Sequence, residues 1–322
     1  MATEIGTATD HYDLYNKLYD FLTANTELVA ANQQWTEVWS HADRVNPVVE
    51  PGTPSQFMLK APGLAGNDNV YISFSLHDDQ TADVQGFYMR AHDAPLDSST
   101  VWDNHINTSP LVYTPMFSNQ MPYWFVANGR RFVAVWKCST IYEACSAGLF
   151  LPFSTPAGYP YPVYIGGSSE TTIRFSDDRY TNTHFVDPGP RGKTADDAAR
   201  SDSTGGRSLI ARSPSGTWPR FDNGYHPWGA CTYPYASADI TSSNFLHTSR
   251  ELLGGGYLLT PITLTMNLGY DRGAMGALEG VYHVPGWANA VENILTVGGV
   301  DHLVVQNAYR TDLEAYWALA LQ

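Results

Sequence analysis

The chain has 322 residues, enough for a substantial core, and this length suggests either two domains or one large β-rich domain. Only 16% of the residues are charged, and the formal net charge of −14 argues against a nucleic-acid partner, because phosphate binding needs a basic stripe. The 20 Tyr, nine Trp and 13 Phe, together with 27 Gly and 20 Pro, favour strands and long loops over helices.

The amino terminus and the cysteines indicate which class of protein this is by location and by the use of its thiols. The first residues lack the basic and apolar regions of a signal peptide, and no apolar run approaches the length of a membrane span. Cys138, Cys145 and Cys231 cannot all pair within one chain and lack metal-binding spacing, so we interpret them as buried or incidental thiols. We therefore expect a soluble protein that is made in a cytoplasm.

The strongest helical pattern lies near the amino terminus, over residues 10–32. Its apolar positions recur at helical spacing: Leu14, Leu18, Phe21 and Leu22. Asp10 is the predicted N-cap, and Asn32 marks the end of the periodicity. Two uses of this helix stay open, because its apolar stripe suits packing on its own domain and also contact with a neighbouring subunit.

Strand patterns follow the helix. Val70–Leu76 alternates between apolar and polar side chains, and Phe87–Ala91 and Arg131–Lys137 fit the same interpretation. Thr140–Glu143 has the form of a capping box, which predicts a short helix through Ala147 that Gly148 would end.

The middle of the chain suggests a division into parts. Pro152–Pro162 contains several prolines, which remove ladder donors, so we predict an extended connector between two halves. Residues 166–224 are polar, and we expect projecting hairpins that become ordered mainly against a partner. The predicted division is 1–165, a helix plus a β-domain; 166–224, a polar insertion; and 225–322, a second β-domain.

The last fifth of the chain carries apolar and β-branched residues in short strands separated by Gly and Pro. Leu278–Val284 and His302–Asn307 are examples, and the chain stops on the apolar segment Tyr316–Gln322. A terminus of this kind is typical of one tied into a sheet or a partner. We expect these strands to serve burial and contact, since nothing in them suggests catalysis.

One segment imitates a nucleotide-binding loop. Asp187–Thr194 ends in Gly-Lys-Thr, but an acidic residue stands where a P-loop needs Gly, and two prolines remove amides that would hold phosphate. No apolar helical stripe follows it. We therefore do not predict nucleotide binding.

Acidic and histidine pairs offer two further candidates. Glycosidase carboxylates must face each other across a sugar, whereas neighbours on a strand point to opposite faces, so we interpret the acidic pairs as solvated turn residues. A metal bound by His77-Asp78 and His92-Asp93 would require their strands to pair, and we rank it low. The acidic pairs are Asp78-Asp79, Asp177-Asp178 and Asp196-Asp197.

Aromatic residues concentrate in Tyr159–Tyr164 and Tyr225–Tyr235, the only stretches that suggest a ligand surface. Rings in such loops can stack on sugars, but packing at subunit contacts or over a core is the commoner use. Glycan binding is therefore an alternative rather than the first interpretation.

Three stretches of the chain are similar in sequence to proteins of a known class. Residues 122–153, beginning Pro-Tyr-Trp-Phe-Val-Ala-Asn-Gly-Arg-Arg, are the first, and Tyr159–Gly167 is the second. The third is Leu278–Asn293, with Val304–Thr311 after it. Together they resemble virion structural proteins of tailed bacteriophages. The resemblance implies a particle component present in several copies, in the tail, baseplate or neck, and it transfers no catalytic residue.

We predict a mainly β (α+β) fold of β-sandwich-like sheets, with an N-terminal amphipathic helix and a long polar loop or hairpin excursion. The predicted function is a structural subunit of a tailed-phage virion, in the tail or baseplate, which assembles symmetrically with itself and other virion proteins. No catalytic residue, cofactor, metal, nucleic acid or membrane is predicted. The candidate interface residues are Leu14, Leu18, Phe21, Val304, Val305, Tyr309, Tyr316 and Trp317.

Two alternatives belong to other functional classes. One is a module of the tail that recognises a host-surface glycan through the aromatic loops. The other is a tail-borne glycan hydrolase, which would need a pair of facing carboxylates in a cleft.

Overall fold

The computed structural model describes residues 1–41, 55–66, 68–95, 108–169, 172–177, 183–185, 209–221, 231–233, 257–268, 271–309, 311, 313 and 315–322. These residues form three β-sheets and a helical segment near the amino terminus, so the prediction of a mainly β protein is confirmed. No helix in these ranges is both long and apolar enough to cross a membrane.

The strands are, in chain order, β1 (Ala2–Ala8), β2 (Thr36–His41), β3 (Gln56–Ala61), β4 (Val70–Asp79), β5 (Val84–His92), β6 (Val112–Met116), β7 (Met121–Ala127), β8 (Arg131–Cys138), β9 (Ile141–Leu149), β10 (Leu151–Pro152), β11 (Val163–Gly166), β12 (Leu209–Ala211), β13 (Arg220–Phe221), β14 (Cys231–Tyr233), β15 (Thr260–Leu268), β16 (Asp271–His283), β17 (Ile294–Val297), β18 (Val300–Gln306) and β19 (Tyr316–Ala320). The helices are α1 (His11–Ala24) and α2 (Thr26–Ala30).

Two side chains set the bounds of the helices. The carboxylate of Asp10 accepts from the backbone N–H of Asp13 at 2.9 Å, which confirms the predicted N-cap. Asn25 interrupts the predicted 10–32 helix, because its side-chain oxygen accepts from the N–H of Glu27 at 2.9 Å and caps a second helix. Asn32 has a φ of 54° and ends the helical segment.

The first sheet has the order β1-β7-β8-β9-β11-β12-β13, and every neighbouring pair in it is antiparallel. The second sheet has the order β2-β3-β4-β5-β6. The third has the order β14-β15-β16-β19-β18-β17, and β10 also pairs with β16.

The first sheet is buried on both faces. Phe132, Ala134 and Trp136 of β8 pack in a cluster with α1 and the second sheet, which we call the helix-side layer. Val133 and Val135 point the other way and pack with side chains of the third sheet, in what we call the C-terminal layer. Successive residues of a strand face opposite ways, so a strand with two buried faces needs apolar residues almost throughout.

The predicted strands are confirmed, but the predicted short helix after Thr140 is wrong. Val70–Leu76, Phe87–Ala91 and Arg131–Lys137 lie within β4, β5 and β8. The stretch from Ile141 is strand β9, which pairs with β8 on one side and β11 on the other. Ser139, with a φ of 60°, makes the tight turn from β8, and burial in the sheet outweighs the local capping pattern.

The proline-rich segment joins two strands of one sheet, since β9 before it and β11 after it are neighbours. Two strands of the expected polar insertion, β12 and β13, also extend this sheet, and Leu209 and Ile210 are fully buried. Much of 166–224 lies outside the described residues, so the division of the chain at 165 and 224 stays a prediction.

Candidate functional site

The helical part of the candidate interface is buried inside the chain. Leu14, Leu18 and Phe21 are each at most 2% exposed, and the ring of Phe21 lies 5.6 Å from that of Phe125 on β7. They belong to the helix-side layer, which also includes side chains of the second sheet. The helix therefore packs on its own domain, and this conformation leaves its apolar stripe no surface for a neighbouring subunit.

Most of the carboxy-terminal candidates are also buried. Val304, Val305 and Trp317 are at most 1% exposed, and Tyr316 is 7% exposed, because β18 and β19 pair with each other inside the third sheet. Tyr309 alone among the eight candidates is exposed, at 38%. These apolar closing strands form the core of a sheet, and their sequence pattern did not distinguish a core from a contact surface.

An exposed apolar surface lies next to these strands, and the sequence did not reveal it. Trp287 and Ile294 are both half exposed, and along β17 exposed positions alternate with half-buried ones. β17 is the outermost strand of the third sheet among the described residues. We call Trp287 and β17 together the closing edge.

Local contacts hold the closing edge in place. The hydroxyl of Tyr257 donates to the carbonyl of Trp287 at 3.3 Å, and its ring packs against the same small cluster as Leu295 of β17. The register of β17 is fixed by Ile294 opposite Leu303. An outer strand with exposed apolar side chains presents both backbone hydrogen-bonding groups and a contact surface to another chain.

Among the described residues, the polar pair most like a catalytic one is enclosed in the C-terminal layer. The Ser146 hydroxyl lies 2.7 Å from Nε2 of His184, and both residues are buried. Burial lowers the pKa of His184 to about 3, with a contact to the backbone of Ala144 opposing this shift, so the imidazole is neutral. Gly166 leaves room for the ring, because a Cβ there would collide with it. The pair is part of the packing, since no substrate reaches an enclosed nucleophile.

Asp78 and Asp79, of the acidic pairs, have structural partners. Asp78 accepts from the hydroxyl of Tyr12 at 2.6 Å and thereby joins α1 to β4, which corrects its interpretation as a solvated turn residue. Asp79 accepts from the backbone N–H groups of Thr81 and Ala82, both at 3.0 Å, in the turn after β4. Asp178 and Asp196-Asp197 lie outside the described residues.

The two histidine pairs cannot share a metal ion. Their strands do pair, but His92 is opposite Tyr71 and His77 is opposite Gly86. Six residues of strand, about 20 Å, therefore separate the two histidines. His92 instead contacts the hydroxyl of Ser73 at 2.6 Å. Within the described ranges no group of three His, Cys, Asp or Glu side chains is arranged to hold a metal.

A groove of about 330 Å³ lies beside the proline-rich segment. Its walls include Asp68, Asn69 and Tyr161, but Tyr159 is buried and its hydroxyl donates to the carbonyl of Arg212. The guanidinium of Arg212 also lies 5.3 Å from the ring centre of Tyr161 and covers one of its faces. The ring surface left for stacking on a sugar is therefore small.

Two of the three cysteines confirm the interpretation of the thiols as buried. Cys138 and Cys145 are free and enclosed, and burial raises the pKa of both thiols well above its ordinary value. The predicted P-loop look-alike and nearly all of Tyr225–Tyr235 lie outside the described residues.

No protein-family model matches this chain, and no curated protein matches it significantly. The three stretches set apart in the sequence map onto the sheets: residues 122–153 span β7 to β10, and Tyr159–Gly167 contains β11. The closing stretches cover the end of β16, the loop before β17 and the end of β18. These stretches therefore lie in the first and third sheets.

Proposed function

We propose that this protein is a structural subunit of a tailed-phage virion, in the tail or baseplate, which assembles symmetrically with itself and with other virion proteins. The observation that carries the proposal is the closing edge, in which half-exposed Trp287 in the preceding loop and half-exposed Ile294 accompany the outer strand β17 of a well-packed sheet. A rigid sheet that ends in such an edge suits repeated contacts between identical or related subunits.

The mapping of the resemblance supports this role. The stretches similar to virion proteins supply the central strands β7, β8 and β9 of the first sheet and the ends of β16 and β18 in the third sheet. In this proposal the sheets pack in a β-sandwich-like way, a polar excursion in 166–224 meets a neighbouring subunit, and the chain resides in the virion.

The placement of reactive groups also supports an assembly role. Ser146, His184 and Glu143 are all buried, and their hydrogen bonds run to other core groups rather than to a cleft. The proposal therefore assigns the chain no catalytic residue and no cofactor, and it includes neither nucleic acid nor membrane among the partners.

The decisive experiment changes the closing edge in the phage that encodes the chain. Ile294→Lys places a charge on the exposed side of β17, where it leaves the core intact but disfavours contact with an apolar partner. We expect particles to lose the variant, measured by quantitative mass spectrometry of purified virions, while its melting temperature as a free protein stays unchanged.

The matched control is Leu64→Lys, which places the same charge on a turn residue that is 46% exposed. It is expected to enter particles normally. Cryo-electron microscopy of intact particles then gives location and copy number. Absence of the wild-type chain from purified virions would overturn the proposal, and normal incorporation of Ile294→Lys would reject the closing edge as the contact.

The alternative function is recognition of a host-surface glycan, and the groove beside Tyr161, Asp68 and Asn69 is the observation that favours it. Carboxylate and amide groups beside an aromatic ring are suited to sugar hydroxyls. Saturable binding of the purified chain to lipopolysaccharide, lost in Tyr161→Ala, would favour this function. A hydrolase ranks below it, because Asp78 and Asp79 already serve structural roles.

A further inference from the structure

Three residues form a row across the face of the first sheet that meets the C-terminal layer. Gly148 of β9 is directly opposite Arg131 of β8 on one side and Tyr164 of β11 on the other. Residues paired in this way project to the same face of a sheet. Because Gly148 has no side chain, the Arg131 and Tyr164 side chains extend over the space between them.

The guanidinium of Arg131 is completely enclosed between the first and third sheets. Arg131 is 0% exposed, and a Cβ at Gly280 of β16 would collide with its Nη2. Glycine at Gly148 and Gly280, both with positive φ, thus makes room for a charged side chain in the core. Nη2 makes only a weak contact, 3.1 Å from the sulfur of Met1.

Several donors around this row lack an acceptor among the described residues. Nε and Nη1 of Arg131 have no hydrogen-bond partner there, and the hydroxyl of Tyr164 has none at full hydrogen-bonding distance, although the Ser146 hydroxyl is close enough to oppose part of the rise in its pKa. The nearby Ser146 hydroxyl is engaged with His184 at 2.7 Å. Burying guanidinium donors without acceptors costs several times more free energy than burying a neutral donor without one.

The local charge is also unbalanced. Glu279 of β16 is the carboxylate next to Arg131, but it pairs with Arg130 at 3.3 Å and accepts from the side chain of Asn128 at 3.2 Å. Among the described residues two guanidinium groups therefore share one carboxylate, and only that of Arg131 is fully enclosed, since the side chains of Arg130 and Glu279 are partly exposed. The enclosed charge of Arg131 thus has no carboxylate of its own in the described part of a protein whose formal net charge is −14.

We propose that Arg131 and Tyr164 bind a small monovalent anion, of the size and charge of chloride, between the first and third sheets. The anion accepts from Nε or Nη1 of Arg131 and from the Tyr164 hydroxyl, and it neutralises the remaining charge. Burial raises the pKa of Tyr164 to about 12, so its hydroxyl stays protonated and able to donate. The site is independent of the virion proposal.

A direct test is crystallisation in sodium bromide with anomalous data collected at the bromine edge. We expect one anomalous peak within hydrogen-bonding distance of Arg131 and Tyr164. Density there without anomalous signal would show a water molecule and overturn the proposal. So would a protein carboxylate that occupies the same position.

A second test follows thermal unfolding in chloride, with gluconate replacing chloride at constant ionic strength. An anion bound only by the folded state raises the melting temperature by about 2 °C for each tenfold rise in chloride above the dissociation constant. Gluconate is too large for an enclosed site. A melting temperature that does not respond to chloride would contradict the proposal.

Variants separate anion binding from general destabilisation. Tyr164→Phe removes one donor and keeps the ring, so we expect a weaker chloride response in a folded protein. Arg131→Met removes the charge and is expected to abolish the response. The control is Tyr123→Phe, which removes a partly buried hydroxyl that donates to Glu4 at 2.7 Å in another part of the fold. Its chloride response should equal that of the wild type. An unchanged response in Tyr164→Phe would remove that residue from the site, and with it the proposal as stated.

Discussion

The two layers on either side of the first sheet are held together by different chemistry. In the helix-side layer, aromatic rings contact one another in a chain, with Phe57, Phe74 and Phe87 linked to Trp136 at centroid distances of 4.7 to 6.1 Å. The C-terminal layer is also apolar, but it encloses Arg131, His184 and the His283 side chain of β16. One face of a single sheet therefore packs mainly rings, with the buried carboxyl of Glu143 among them, and the other encloses three basic side chains.

The largest expected effect comes from removing a ring from the helix-side layer. Phe74 is fully buried and stacks on Phe57 at 4.7 Å, so Phe74→Ala leaves a cavity in the aromatic chain. We expect a loss of about 3–5 kcal/mol in the free energy of unfolding, measured by urea denaturation. Phe153→Ala, at a ring that is 61% exposed, is the control and should change stability little. Equal losses in the two variants would mean that ring packing does not dominate this layer.

A slightly smaller effect is expected from filling the gap in the C-terminal layer. Gly148 has a φ of 138°, and a Cβ there would lie 2.6 Å from Cβ of Arg131. Gly148→Ala should therefore cost about 3 kcal/mol, from backbone strain and steric overlap together. Gly298 also has a positive φ but lies in open surroundings, so Gly298→Ala should lower the free energy of unfolding by only about 1 kcal/mol. Thermal denaturation of both variants measures the difference, and equal costs would contradict close packing around Arg131.

The third prediction concerns pH. Burial lowers the pKa of both His184 and His283 to about 3, whereas an unfolded histidine titrates near 6.5. Between these values the unfolded chain binds more protons than the folded one, so stability falls as pH drops from 6.5 towards 3. Each histidine contributes a slope of about 1.4 kcal/mol per pH unit in this window. Above pH 6.5 the contribution is constant.

His283→Gln isolates this effect, because carboxylates contribute equally to both proteins. Urea denaturation between pH 4.5 and 7 should show that the difference in the free energy of unfolding between wild type and variant shrinks as the pH falls. The expected rate is the slope given above for one histidine. Parallel curves would show that His283 is not kept neutral in the C-terminal layer.

The smallest expected effect is at the start of α1. Asp10→Ala removes the acceptor for the N–H of Asp13 and should cost about 1 kcal/mol in urea denaturation. Asp20→Ala, on the exposed side of the same helix, is the control and should be close to neutral. A loss of several kcal/mol at Asp10 would mean that the cap also anchors the helix-side layer.

Local patterns were predictable from the sequence, and pairings were not. The cap at Asp10 and the strand pattern along Val70–Leu76 depend on neighbouring residues, and the cap and the strand are confirmed, although Ser73 and Ser75 are buried together with the apolar side chains. β9 was mistaken for a helix because its capping pattern is local while its stability comes from two partner strands. β1 is not predictable from the sequence, because its short polar segment becomes a strand only by pairing with β7.

The candidate site was less predictable still. An apolar strand such as Val300–Gln306 has the same pattern whether its partner is another strand of the chain or another molecule, so Val304 and Val305 were assigned to a surface. Trp287 and Ile294 occur among similar residues, and their exposure follows from the position of β17 at the end of the sheet. The Arg131 row depends on the register of three strands, which no local pattern specifies.

The hydrogen bond from the Thr3 hydroxyl to the carbonyl of Leu321 brings residues 3 and 321 side by side. Chains with adjacent ends are candidates for circular permutation. A permutant would join residue 322 to residue 1 by a short Gly-Ser linker and open the chain at the exposed Gly298-Gly299 turn between β17 and β18. It should keep every strand pairing, and only the covalent connection between β17 and β18 would be lost. Such a permutant would carry a fused reporter at the closing edge.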